Sequence, residues 1–140
     1  MSDNMRDTQI NLNFSLGARV PVIMQSEIAE CGLASMAMVA SFYGHKLDMP
    51  AMRKRFSANL KGMNLQQLIE LGDSLGLASR ALQCPVDEVH KLAVPCILHW
   101  DMNHFVVLTK VSGKGSSAKF FINDPAVGKR CLTLEEFGKH

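Results

Sequence analysis

The sequence predicts an α+β fold, with helices first and an antiparallel sheet after them. Three observations point there. Residues 31–43 are apolar on nearly every face at helical spacing, interrupted by two serines and one glycine, which describes a buried helix. From residue 95 onward the pattern changes to short β-branched and aromatic runs parted by Gly, Asp and Pro, the signature of strands and turns. At 140 residues and 47% hydrophobic the chain suits one domain with a real core, and elements segregated in this order pack as α+β.

The elements follow in order. Residues 1–20 are polar and weakly patterned and read as an arm, expected to be poorly ordered. Residues 21–24 (PVIM) are a short apolar lead-in. The first helix ends at Gly44, the residue best able to take a left-handed terminal conformation. Asp48 caps a second helix and Pro50 sits in its first turn, where a missing N–H costs little. Arg53, Lys54 and Arg55 on that helix read as a solvated basic face. Lys61 and Gly62 break the chain. Asn64 with Gln67 forms a capping box for a third helix, whose buried stripe is Leu65, Leu68, Ile69 and Leu75 and whose stop is Gly76. Residues 78–83 read as a short strand. Residues 85–92 read as a short helix with Asp87 and Glu88 early in it, as the helix dipole prefers. Residues 95–100 and 104–111 read as the two central strands, 113–117 as a hairpin turn, 119–123 as a third strand, 124–128 as a turn and 129–132 as a fourth strand. Thr133 with Glu136 is another capping box, so a helix begins as the sequence stops, as in a fragment of a longer polypeptide.

Composition narrows the function classes. A net charge of +2 is too small to argue for nucleic acid or an anionic membrane surface. The first ten residues lack the apolar core of a secretory signal, and no window is apolar enough to cross a bilayer. The four cysteines, 31, 84, 96 and 131, form no CxxC pair, which points to free thiols in a reducing compartment rather than a disulfide scaffold.

One cysteine stands apart. Cys31 opens the buried helix, where unpaired N–H groups and the macrodipole favour an anion, and the thiolate is the nucleophilic form of cysteine. Gln25, in the preceding loop, brings a side-chain N–H towards the same point, so that a nucleophile would stand beside an oxyanion hole. A cysteine nucleophile needs a base, and the base needs a group to orient it. His45 and His90 lie among polar residues, and His140 is last in the sequence. His104 opens a strand with Asn103 before it and FVVL behind, so it emerges at the sheet edge; His99 lies within a strand as a packed histidine would. Asp124 follows the KFFIN strand and precedes a proline, which suits an orienting carboxylate better than Asp101, in the same tight turn as His104. In chain order the candidate set is Gln25, Cys31, His104 and Asp124.

The blocks QSEIAECGLASMAMVASFYG, ILHWDMNHFVVL and INDPAVGKR, with GMNLQQLIELGDSLGLASRAL between them, resemble the peptidase C39 family over about residues 20–137. These are papain-like cysteine protease domains at the N-terminus of bacteriocin-processing ABC exporters of the colicin V and microcin type. The resemblance implies that Cys31 of the ECG block is the nucleophile and that His104 of the HFVVL block is the base. It implies that Asp124 of the DP block orients the base and that Gln25 of the QSE block helps form the oxyanion hole. It implies a papain-like fold, with the peptidase domain over residues 21–140 and the chain the N-terminal fragment of a larger ABC transporter. Such domains run on into one more strand, a linker and the transmembrane region, which this sequence does not include.

What the resemblance implies of function is cleavage of a secreted peptide precursor immediately after a double glycine at the end of its leader. The leader is expected to bind as an amphipathic helix in a shallow apolar groove. The expected partners are that precursor and the exporter's transmembrane and nucleotide-binding domains, at the cytoplasmic face of the bacterial inner membrane, with no nucleic acid. No cofactor or metal is expected in this domain, with ATP and Mg confined to the nucleotide-binding domain. Three rival readings remain: a relative that docks cargo without cutting it, a Cys-His-Asp acyltransferase, and a structural metal site from Cys96, His99 and His104, whose spacing is poor.

Overall fold

The computed structural model describes residues 19–56, 62–101 and 103–140. Apart from Arg19 and Val20, the expected N-terminal arm lies outside the described residues, as does Lys61 of the expected break.

Helix α1, Cys31–Phe42, is entered through a single 3-10 turn, Ile28–Glu30. Every residue from 31 to 40 is buried, so the helix is the centre of the helical half. It stops at Gly44, whose φ of +98° is open to glycine at little cost. Helix α2, Met49–Arg55, starts as its cap requires: the Ala51 N–H donates to Asp48 Oδ1 at 3.0 Å, and Pro50 occupies the first turn. Helix α3, Leu65–Ser74, carries the reciprocal box, Gln67 N to Asn64 Oδ1 at 2.8 Å and Asn64 N to Gln67 Oε1 at 2.9 Å. Its stripe differs from expectation. Leu68, Leu71, Gly72 and Leu75 are buried, whereas Leu65 is exposed and Ile69 half-buried. The spacing i, i+3, i+4, i+7 selects that set once the box fixes where the helix begins.

Two further expectations change. Residues 77–85 form no strand, and 78–83 are exposed throughout, so no buried face sets a register for them. The short helix expected over 85–92 is a 3-10 helix, Val86–Lys91.

The sheet has four antiparallel strands in the order of the chain: β1 Cys96–Trp100, β2 His104–Ser112, β3 Lys119–Asp124 and β4 Gly128–Thr133. β1 is therefore an edge strand, and β2 and β3 are central. One face of β2 presents Phe105 to the core cluster of α1, α2 and α3, and Val107 packs on Met38 and Val39 of α1. The other face gathers Val106, Leu108, Phe120, Ile122 and Leu132 with Trp100 and with Phe137 of the terminal helix α4, Leu134–Phe137. Register sets Trp100 opposite His104 and Asp124 opposite Gly128, so these four positions share one end of the sheet. Among the described residues no helix is long and apolar enough to cross a membrane.

Candidate active site

Cys31 is the first residue of α1 and is 7% exposed. Its neighbour Gly32 faces the start of β2: a Cβ there would stand 3.5 Å from Phe105 Cδ2. Cys31 and Phe105 also belong to one core cluster. The head of α1 thus lies against the end of the sheet that begins with His104.

His104 and Asp124 meet across the central strands, His104 Nε2 lying 2.8 Å from Asp124 Oδ1. An ionised carboxylate only accepts, so Nε2 is the ring nitrogen that carries the proton, and Nδ1 is left for another partner. Asp124 is 3% exposed and is held further by the Ala126 N–H, which donates to Oδ1 at 2.9 Å. That bond is the Asx turn that Asp124-Pro125 favours, and it fixes the carboxylate at the strand end.

Gln25 belongs to the same corner. Its backbone N–H donates to the Pro125 carbonyl at 2.9 Å, which ties the loop before α1 to the turn after Asp124. Asn123 Nδ2 donates to the carbonyls of Val20 at 3.3 Å and Pro21 at 3.2 Å, anchoring the segment that leads in. Gln25 Oε1 is buried with no hydrogen-bond partner among the described residues. A buried, unpaired amide oxygen is costly to leave unsatisfied.

A second device shapes the same loop. Glu30, the residue before Cys31, is buried and accepts from the backbone N–H groups of Ser26 at 2.9 Å and Glu27 at 3.2 Å. Arg53 of α2 grips that carboxylate with Nε and with Nη2, the latter at 2.9 Å, and reaches Ser26 Oγ at 3.1 Å. Arg53 holds the Glu30 carboxyl down at about 2; burial works against it, and the two N–H groups assist. Arg53 is therefore a cross-link as well as part of the exposed basic face expected for residues 53–55. The sequence carries only half of that signal: an acidic residue at the mouth of a buried helix must find a partner, and the fold sets which residue supplies it.

The remaining candidates separate. His99 stacks on Phe105, with centroids 4.4 Å apart and planes 19° apart, on the α1 side of the sheet. Asp101 pairs with His140 Nδ1 at 2.9 Å, not with His104. Strand alternation puts Cys96 and His99 on opposite faces of β1, which scatters the metal set considered for Cys96, His99 and His104. Among the described residues no group of three or more His, Cys, Asp or Glu side chains is placed to hold a metal ion. Burial pushes the Cys96 thiol up to about 11, with Cys84 adding to it, so Cys96 is a poor nucleophile.

Residues 19–140 match the sequence profile of the peptidase C39 family. The chain belongs to that family. The C39 chain is 42% identical over 122 residues to a "Probable microcin-H47 secretion/processing ATP-binding protein" of Escherichia coli, covering 87% of this chain and 17% of that protein. It is 41% identical, with the same coverage, to the colicin V secretion/processing ATP-binding protein of Escherichia coli. The chain thus spans about one-sixth of these relatives, at 17% of each. A solved double glycine motif protease from an AMS/PCAT transporter, in complex with the leader peptide, superposes with a TM-score of 0.75 at 36% identity, covering 87% of this chain and 85% of that one. The peptidase domain of Streptococcus ComA shares the fold, with a TM-score of 0.72 at 22% identity over 87% of this chain and 92% of that one. The α+β fold of this C39 domain is accordingly the papain-like one.

Proposed function

We propose that this chain is a cysteine endopeptidase that removes the leader from an exported peptide precursor by cutting after a double glycine. The observation that carries the reading is the corner where the loop bearing Gln25 is hydrogen-bonded to Pro125 and Asp124 holds His104. In the proposed reaction Cys31 Sγ, as thiolate, attacks the carbonyl carbon of the second glycine. The carbonyl π electrons move to oxygen, and the Gln25 side-chain amide with N–H groups at the head of α1 stabilises that oxyanion. His104, as imidazolium, gives its proton to the departing amine, the C–N bond breaks, and the mature peptide leaves. Water then adds to the thioester with His104 as base, which frees the leader acid and Cys31. Asp124 keeps the imidazole in one orientation and supports its charge. No metal or cofactor enters these steps.

The leader's docking surface is proposed to be the groove of about 1010 Å³ between α3, residues 77–95 and β1. Tyr43, Leu65, Leu82 and Val86 line it and are large exposed hydrophobics, an uncovered apolar surface of the kind that receives an amphipathic helix. Both Escherichia coli relatives are named secretion/processing ATP-binding proteins. We read this chain as serving such an exporter at the cytoplasmic face of the inner membrane, with ATP handled elsewhere in the assembly. Incubation with a precursor whose leader ends in Gly-Gly tests the reading. Cleavage at that bond supports it, and an intact precursor bound to the domain would make this a docking module. Transfer of the acyl group to an added amine in place of hydrolysis would make it an acyltransferase.

A further inference from the structure

A carboxylate as buried as Asp124 needs its charge offset and its rotation fixed, because the terminal torsion of aspartate is broad and does not set its own orientation. The two oxygens are held differently. Oδ1 faces His104 Nε2 at 2.8 Å and accepts from Ala126 N at 2.9 Å. Oδ2 faces Arg130 Nη1 on β4 at 3.5 Å, an ion-pair distance. Arg130 lies opposite Ile122 in the β3–β4 register, on the same face as Asp124, which brings the guanidinium to the end of the sheet. The guanidinium is itself guided, its Cζ lying 6.0 Å from the centre of the Trp100 ring. Trp100 is buried, stacked on His140 at 4.2 Å, and stands directly opposite His104 across β1 and β2.

We propose that Arg130 is a positioning residue for the reaction. It engages Oδ2, stops the Asp124 carboxylate from rotating, and so keeps Oδ1 on His104. It also sets a positive charge beside a buried carboxylate. Arg130 acts through Asp124 and touches no reacting atom. The inference rests on the reading of His104 as base and Asp124 as its orienting acid. Lysine would restore the charge without the planar fork or the flat face turned to Trp100, and would replace it only in part.

The test is a double-mutant cycle on precursor cleavage with Arg130→Met, Asp124→Asn and the pair. Arg130→Met is expected to lower kcat about tenfold with KM within about twofold, and Arg130→Lys to recover part of the loss. In the Asp124→Asn background Arg130→Met should cost nothing further. Two losses that multiply would overturn the proposal and make Arg130 a general support of the sheet. A normal kcat for Arg130→Met beside an impaired Asp124→Asn would overturn the role of Arg130 alone. A normal kcat for Asp124→Asn would instead remove the underlying assignment. If Arg130→Met does not accumulate folded, Arg130→Lys goes through the same cycle, and a loss that persists in the Asp124→Asn background would overturn the proposal equally.

Discussion

His104 Nε2 and Asp124 Oδ1 lie 2.8 Å apart, on strands that the sequence separates by twenty positions. The pairing turns Nε2 of the imidazole to the carboxylate, which also engages Ala126 N and Arg130 Nη1. Asp124→Asn puts an amide of the same shape there, with only one oxygen left to accept. The expected result is a fall in kcat of about 100-fold, with an unchanged circular dichroism spectrum. Activity within about twofold of the parent would show that the pair serves packing.

The choice of base is tested against its neighbour. His104→Ala should abolish cleavage. His99→Ala removes a ring that stacks on Phe105, an aromatic contact worth about 1 kcal/mol, and lines the groove, so it should keep much of kcat. The reverse pattern, measured as kcat on one precursor, would exchange their roles.

These two histidines mark how far the sequence could be read. The buried helix, its glycine stop, the Asp48, Asn64 and Thr133 caps and the order of the strands were legible, because each rests on local chemistry or on periodicity. So were the positions of Gln25, His104 and Asp124 near one corner. The partnerships of Glu30 with Arg53 and of Asp124 with Arg130 were not, since they join side chains far apart in the chain or across a hairpin whose register only the fold sets. Residues 78–83 misled for a similar reason: their composition suits a strand, but no sheet edge takes them and they border the groove instead.

The Glu30 carboxyl gives a pH signature. Its folded value of about 2 lies below its ordinary 4.5, so its contribution to stability is present in full above 4.5 and is lost as pH falls from there towards 2. Glu30→Gln should therefore be less stable than the parent at pH 7, with the gap closing between about pH 4 and pH 2. Urea unfolding at a series of pH values measures this. A gap that stays constant down to pH 2 would deny the ion pair its role.

The groove assignment predicts a change in binding separate from chemistry. Leu82→Asp with Val86→Asp places charge on an apolar surface that Leu82, 62% exposed, leaves open to solvent. KM for a precursor with its whole leader should rise about tenfold, equivalent to about 1.4 kcal/mol, with kcat little changed. An unaltered KM would move the docking surface elsewhere.

The most direct measurement is mass spectrometry of a Gly-Gly precursor after incubation with the protein and with Cys31→Ala. The expected result is two products whose masses place the cut after the second glycine with the parent protein, and an intact precursor with the folded Cys31→Ala variant. Cleavage at that bond by Cys31→Ala, or an uncut precursor with the active-site residues all in place, would contradict a reaction centred on that sulfur.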